Sequence, residues 1–447
     1  MRDFDLFVIG AGSAGVRAAR MAAAKGVKVA VAEERYLGGT CVNVGCIPKK
    51  LYHFAADYSL AFEDSRGFGW EVEAKFDWQK LVHNKKQELS RLNGIYRRLL
   101  EQSGVQIFET RARIIGPHTV EVEGKWLDVE RIVVATGGWP YVPAIAGAEY
   151  AITSNEVFDL PQLPYRVLIV GGGYIAVELA SIFAGVSCET FLSYRGDRLL
   201  KDFDADVGMR FTQTLGEHLE LLLETNVTGI HKQMDGSLKV SFKEREPLEV
   251  DTVLFATGRK PNTAGLGLEN TKVRLDDGGA IVVNEHMQTD EPSIHALGDV
   301  VGRLQLTPVA LAEAMFLVDH LYGDGKRVLS YVNVPTTVFS HPEVGTVGLT
   351  EEQARKDYGE VAIYESEFRH LRHTLSGRQE KTYLKVVVDA ASDRVLGMHM
   401  IGAEAGEVIQ GFAAAMNCGM TKAQLDATLG IHPTVAEEFV TLRTRSR

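Results

Sequence analysis

Gly10-Ala11-Gly12-Ser13-Ala14-Gly15 decides the fold. Residues 4–9 before it (Phe-Asp-Leu-Phe-Val-Ile) read as a buried strand, residues 16–24 after it as an Ala-rich helix, and residues 27–32 as the next strand, ending at Glu33-Glu34. Strand, G-x-G-x-x-G, helix, strand, acid is the dinucleotide-binding fingerprint in its proper context. Gly10 permits the tight turn, Gly12 lets the backbone approach a pyrophosphate, and Gly15 lets helix and strand pack. The helix N-terminus faces the phosphates. Glu33, 23 residues after Gly10, can hydrogen-bond a ribose diol. The bland reading is a βα turn whose glycines serve packing alone.

A second copy runs Val167-Leu168-Ile169-Val170-Gly171-Gly172-Gly173-Tyr174-Ile175-Ala176, with Ala176 in the third glycine's place. The same 23-residue count from Gly171 reaches Tyr194 rather than an acid, and Arg195, Arg198 and Lys201 follow. A carboxylate suits a free 2′-hydroxyl; guanidinium and ammonium groups suit a 2′-phosphate. The first fold is therefore expected to hold an FAD-type adenosine and the second NADPH. For Arg195 the plainer alternative is a solvated surface charge.

Ile132-Val133-Val134-Ala135-Thr136-Gly137 and Val253-Leu254-Phe255-Ala256-Thr257-Gly258-Arg259 are near-repeats closing the two nucleotide units, which places joints near 140 and 260. Residues 294–300 form another strand with an acid, Asp299, at its C-terminal end, where α/β sheets bind ligands. From about 330 the pattern becomes antiparallel strands and long helices. The expected class is α/β: two Rossmann-like dinucleotide-binding domains plus a C-terminal α+β dimerisation domain. The expected limits are 1–140 and 261–330 for the two parts of the FAD-binding domain, 141–260 for the NADPH-binding domain and 331–447 for the interface domain.

Shortly after the first fingerprint comes Gly38-Gly39-Thr40-Cys41-Val42-Asn43-Val44-Gly45-Cys46-Ile47-Pro48-Lys49-Lys50. Two thiols five residues apart can open and close as a disulfide, and a small strained ring is easier to reduce than a relaxed bridge. A zinc half-site is the rival, but structural zinc takes about four Cys/His ligands, and Cys188 and Cys418 are isolated. Unreactive core cysteines are the third reading. No metal site is expected.

The 447 residues are 45% hydrophobic and 24% charged, an ordinary globular balance for about three domains. A net charge of −11 argues against nucleic acid and anionic membrane as partners. Four cysteines make no disulfide framework, so a reducing compartment is expected. With no leader-like start and no long uncharged apolar run, the chain reads as cytoplasmic.

His432-Pro433-Thr434-Val435-Ala436-Glu437-Glu438 is the last notable stretch. Pro433 and the acids suit a helix start, leaving His432 outside it, able to project from the surface. By itself a lone histidine is more often structural.

In sum, FAD fingerprint, C-x₄-C-x-P-K, second nucleotide fold, Gly-Asp and His-Pro-Thr-x-x-Glu-Glu follow one another. In this order the chain resembles the FAD-dependent pyridine nucleotide–disulfide oxidoreductases along its whole length. Pro48-Lys49-Lys50, Gly173-Tyr174-Ile175-Ala176-Val177-Glu178, Arg195, Phe339-Ser340-His341-Pro342 and Val440-Thr441-Leu442-Arg443 point to the branch that reduces glutathione disulfide. The Pro-Ser-Lys and the acid near Tyr194 of lipoamide dehydrogenases are absent.

The resemblance implies FAD, NADPH and a homodimer whose active site is shared between subunits. It makes Cys46 the sulfur beside the flavin and Cys41 the exposed thiolate that attacks the substrate. His432, from the partner subunit and oriented by Glu437, becomes the acid–base group. Lys49 is expected near the flavin, paired with Glu178; Tyr174 is expected to cover the ring, and Asp299 to bond the ribityl chain. Further cofactor contacts implied are Gly10, Gly12, Ser13, Gly15, Glu33, Thr40, Thr136, Gly137, Thr307, Gly171, Gly173, Ile175, Arg195, Lys201, Gly258 and Arg259. Ser13, Arg17, Arg20 and Tyr96 align with substrate contacts; two arginines suit an anionic disulfide, although Arg17 also reads as a snorkelled surface residue. Met315 stands where some members carry a carboxylate-binding arginine, and Lys201 is a point charge where some carry a fork. The rival functions are reduction of another low-molecular-weight disulfide, or a non-catalytic FAD-binding subunit.

Overall fold

The computed structural model describes residues 2–447, which divide into two compact units. The first comprises residues 2–49, 79–141 and 258–330; the second comprises 50–78, 142–257 and 331–447.

The first unit is built on a mixed sheet. Strand Phe4–Ile9 lies between Val29–Ala32 and Lys125–Val134 and is parallel to both, with Ile9 level with Ala32 and Val134. Gln106–Phe108 extends one edge in parallel, and Ile294–Ala296 pairs in parallel with the end of Lys125–Val134. The outer half of Lys125–Val134 turns back through the antiparallel strands Thr119–Val122 and Ala112–Gly116. Parallel strands are covered on both faces and read as continuous apolar runs, as Phe7, Val8, Ile132 and Val134 do here, all at most 1% exposed. Helices Ser13–Ala23 and Thr307–Tyr322 pack against each other in this unit. The first buries Ala14, Gly15, Val16, Ala18, Ala19 and Ala22 as one small-residue face. Pro308 opens the second, where its missing N–H costs nothing.

The second unit holds a parallel four-stranded sheet in the order Glu220–Leu222, Glu189–Ser193, Arg166–Val170, Thr252–Phe255. Helix Tyr174–Gly185 follows the Arg166–Val170 strand, repeating the βα start of the first unit. A five-stranded antiparallel sheet, Thr336–Val338, Val344–Gly348, Val395–Ile401, Lys381–Asp389 and Val361–Arg369, is packed by helix Ala405–Asn417. Leu384, Val386, Met398, Met400, Ile409 and Phe439 form its core. This is the α/β class expected from the sequence.

Candidate active site

The fingerprint turn and the dithiol stretch are held together by backbone-to-backbone contact. A Cβ on Gly39 would lie 2.6 Å from the Cα of Gly12, and Gly39 itself sits at φ 63°. Only glycine fits there, so the start of the cysteine segment is seated on the nucleotide turn. Gly15 is as tight: a Cβ there would stand 1.8 Å from the carbonyl oxygen of Gly10. Around Gly12, by contrast, only that Gly39 Cα comes within 4 Å, at 3.8 Å. The turn thus has glycine where packing demands it and open room at the position facing a ligand. Glu33 accepts hydrogen bonds from the backbone N–H of Ala11 (2.8 Å) and of Arg35 (2.9 Å), which ties the end of the second strand to the turn.

Cys41 lies in the short helix Gly39–Asn43, and Cys46 is the first residue of helix Cys46–Ser65. Both are free thiols. A hydrogen bond from Cys46 is the main cause that brings the Cys41 thiol down to about 6, against the opposing effect of burial, and the hydroxyls of Thr307 and Ser13 assist. Cys46 moves up, because it donates that hydrogen bond and then because it is buried beside a negative sulfur. One negative charge is therefore shared by the pair and rests on Cys41. Thr307 Oγ1 lies 3.9 Å from Cys46 Sγ. In the single chain Cys46 is exposed and Cys41 is half-buried. The Cys41 sulfur lies by the Ser13 and Thr307 hydroxyls, at the starts of two helices.

Asn43 donates to the carbonyls of Leu37 (3.2 Å) and Gly39 (3.0 Å) and accepts from Asn93 (3.0 Å). These bonds join the dithiol segment to helix Trp78–Gln102, which carries Tyr96. Burial raises the Tyr96 hydroxyl; the charge on Cys41 adds to this, while Arg17 and then Arg20 oppose it. Tyr96, Arg17, Arg20 and the dithiol thus share one electrostatic environment. The Arg20 Nε is buried without a hydrogen-bond partner among the described residues.

At the ends of the sheet strands, Thr136 Oγ1 donates to the Asn262 carbonyl (2.7 Å), and the Gly137 carbonyl accepts from the Asn262 N–H (2.9 Å). Gly138–Pro140 pairs antiparallel with Arg259–Pro261, and the Arg259 guanidinium donates to the Gly138 carbonyl. Gly258 and Arg259 belong to this first unit. Asp299 is half-buried; burial raises its carboxyl, against the positive charge of Arg259. Its turn is fixed by Glu313, 1% exposed, which accepts the Gly298 N–H at 2.7 Å. Thr40 and Lys49 are half-buried. Asn43, Asn93 and Glu313 were missed from sequence; for Glu313 the signal was an acid amid the apolar residues of its helix.

In the second unit the Tyr194 ring lies on Gly172, where a Cβ would come within 2.5 Å of it. Gly171, at φ 146°, abuts the Ala256 carbonyl, and Gly173 precedes helix Tyr174–Gly185. Arg195 and Lys201 are exposed after the Glu189–Ser193 strand, while Arg198 is engaged with the Lys201 carbonyl at 3.0 Å. Tyr174 is 42% exposed and Ile175 half-buried. Glu178 is buried and accepts the Phe339 N–H at 2.9 Å. His432 precedes helix Glu437–Thr441, its side chain 83% exposed, with Nδ1 2.9 Å from Glu437 Oε1. Glu437 also accepts the Thr434 N–H (3.3 Å), so the carboxylate that orients the ring is itself held.

Residues 4–314 match the family model described as pyridine nucleotide-disulphide oxidoreductase, and residues 334–443 match that of its dimerisation domain. The chain is 49% identical over 445 residues to a protein of Burkholderia cepacia named glutathione reductase, covering 99% of each. It is 44% identical over 458 residues to a chloroplastic/mitochondrial glutathione reductase of Pisum sativum, covering 100% of this chain and 83% of the relative. To a glutathione reductase of a Nostoc species it is 43% identical over 456 residues, covering 99% of each.

Proposed function

Because the chain belongs to the pyridine nucleotide–disulphide oxidoreductases, we propose that it reduces glutathione disulfide with NADPH through FAD and the Cys41–Cys46 pair, as a homodimer. The observation that carries the reading is the Cys41–Cys46 pair beside a dinucleotide turn, with the Cys41 thiol drawn down by its partner and with Tyr96 sensing the pair as well as Arg17 and Arg20. The turn suits FAD, with Gly12 open and the eleven-residue Ser13–Ala23 helix starting there. Ser13, Glu33, Thr40, Lys49, Thr136, Gly137, Asp299 and Thr307 are the residues assigned to hold it. Gly171, Gly173, Tyr174, Ile175, Glu178, Arg195, Lys201, Gly258 and Arg259 are assigned to NADPH. Bound FAD supplies the two-electron relay between NADPH and the dithiol.

The chain's own groups do the rest. The Cys41 thiolate attacks one sulfur of glutathione disulfide, forming a mixed disulfide as the substrate S–S bond breaks. The leaving thiolate takes a proton from the His432 imidazolium of the partner subunit. Glu437, accepting from Nδ1, keeps Nε2 free for that transfer. Cys46 then attacks Cys41, the second glutathione leaves, and the Cys41–Cys46 disulfide closes. Arg17, Arg20 and Tyr96 orient the anionic substrate.

We retain the four-segment domain division at 140, 260 and 330. We also place the protein in the cytoplasm, since a dithiol that must reopen needs a reducing compartment; no described helix is long and apolar enough to cross a membrane.

The test is NADPH oxidation by the holoenzyme across a panel of disulfides. Another disulfide preferred by about tenfold or more in kcat/KM would overturn the substrate. His432→Ala is expected to slow glutathione disulfide reduction by about 10²–10⁴-fold, with NADPH oxidation by a small artificial electron acceptor retained. Unchanged disulfide reduction in Cys41→Ser would remove the mechanism.

A further inference from the structure

Two imidazoles and a carboxylate converge in the second unit, on residues the proposed reaction does not use. His53 and Asp57 are four residues apart on helix Cys46–Ser65, and His53 Nε2 lies 3.5 Å from Asp57 Oδ2. His341 Nε2 meets Asp57 Oδ1 at 2.5 Å. The two rings stack with centroids 4.5 Å apart and planes 17° apart. Glu343 Oε1 stands 3.3 Å from His53 Nε2 and 3.2 Å from Lys50 Nζ. The His53 side chain is 2% exposed, while that of Asp57 is 44% exposed. The loop bearing His341 is anchored on both sides: the Phe339 N–H donates to Glu178, and the Ser340 hydroxyl to the Pro342 carbonyl.

We propose that His53, Asp57 and His341, with Glu343 as fourth ligand, form a binding site for a divalent transition-metal ion of the zinc type. One ligand atom from each of the first three lies within 4.8 Å of the others. Tetrahedral zinc with ligands at about 2.0–2.1 Å has ligand–ligand edges of about 3.3–3.4 Å. The His53–Asp57 and His53–Glu343 separations are 3.5 and 3.3 Å. Of these three contacts the Asp57–His341 hydrogen bond is the one that must open, by about 1 Å, and the half-exposed Asp57 carboxylate has room to move. The donor set of two imidazoles and two carboxylates favours zinc, nickel or copper over magnesium and calcium. The two carboxylates bring a charge of −2, of which the Lys50 ammonium beside Glu343 offsets one.

The experiment titrates Zn²⁺ alone into chelator-treated holoenzyme in its oxidised form, where Cys41 and Cys46 are consumed in a disulfide. A Cys418→Ser background removes an exposed thiol. Competition with a chromophoric chelator is expected to give one ion per chain. Asp57→Asn and His53→Gln are each expected to weaken binding by more than about 100-fold, with flavin content and melting temperature confirming that both variants fold. X-ray absorption at the zinc edge is expected to show nitrogen and oxygen ligands. No binding by the unaltered protein up to about 100 µM, sulfur ligation, or equal affinity in both variants would each overturn the site, and none depends on disulfide-reductase activity.

Discussion

Replacing Cys46 with alanine removes the largest single cause of the low Cys41 value, and the consequence can be worked out. At about 6, against an ordinary 9.0, Cys41 is roughly 90% thiolate at pH 7; at 9 it would be roughly 1%. Nucleophilicity moves the other way, by about 0.4–0.5 log units per pKa unit. A rise of three units would therefore make each thiolate about 15–30 times more reactive. The net loss at pH 7 would be only about 3–6-fold, so a single rate at neutral pH discriminates poorly. The pH profile discriminates well. Iodoacetamide alkylation of reduced holoenzyme, with the label placed on Cys41 by peptide mapping, is expected to rise to a plateau through a midpoint near 6. In Cys46→Ala the midpoint is expected to move up by at least about one unit and the plateau to climb. The hydroxyls of Ser13 and Thr307 remain, so 9 is the ceiling. A midpoint still near 6 in the variant would refute the view that Cys46 holds the charge on Cys41.

Three further outcomes follow from geometry described above. Gly15→Ala places a Cβ 1.8 Å from a carbonyl oxygen and is expected to yield protein with little bound flavin, read as the ratio of flavin to protein absorbance. Arg195→Leu with Lys201→Leu is expected to raise KM for NADPH by about 10²–10⁴-fold, as two charge-assisted hydrogen bonds of about 1.5–3 kcal/mol each are lost, and to leave KM for NADH little changed; equal loss with both would argue against phosphate recognition. Lys385, 1% exposed, bonds Asp204 (2.8 Å), Asp206 (2.6 Å) and Glu351 (2.9 Å), so Lys385→Met is expected to cost about 3–5 kcal/mol in urea unfolding. Glu351 sits at about 2, because the Arg447, Lys385 and Arg355 contacts outweigh its burial. Its folded value lies below its ordinary 4.5, so its contribution to stability is present above about 4.5 and is lost as pH falls toward 2.

What could be read from the sequence was local. The fingerprint strand, turn and helix are specified by neighbouring residues, and strand Phe4–Ile9 appears over the residues expected. Val27 and Lys28 proved to lie before strand Val29–Ala32 rather than in it. The pairing of His432 with Glu437 was also legible, because five residues separate them. Contacts across long separations were not. Nothing near Glu313 announces that it fixes the Gly298 turn, and nothing near Asn43 points to Asn93. Nor does anything near Cys46 point to Thr307, 261 residues on, whose hydroxyl lies 3.9 Å from its sulfur. Nor did the run of bases after Tyr194 show that the Arg198 guanidinium spends one donor on the Lys201 carbonyl.

Helix Thr307–Tyr322 presents a hydroxyl near Cys46 from its first residue and, six residues on, the carboxylate that holds the Gly298–Asp299 turn. Six residues of α-helix make a strut of about 9 Å. A single stiff rod thus gauges the separation between sulfur and acid, and a bend or a change of winding between its two fixtures would detune both together.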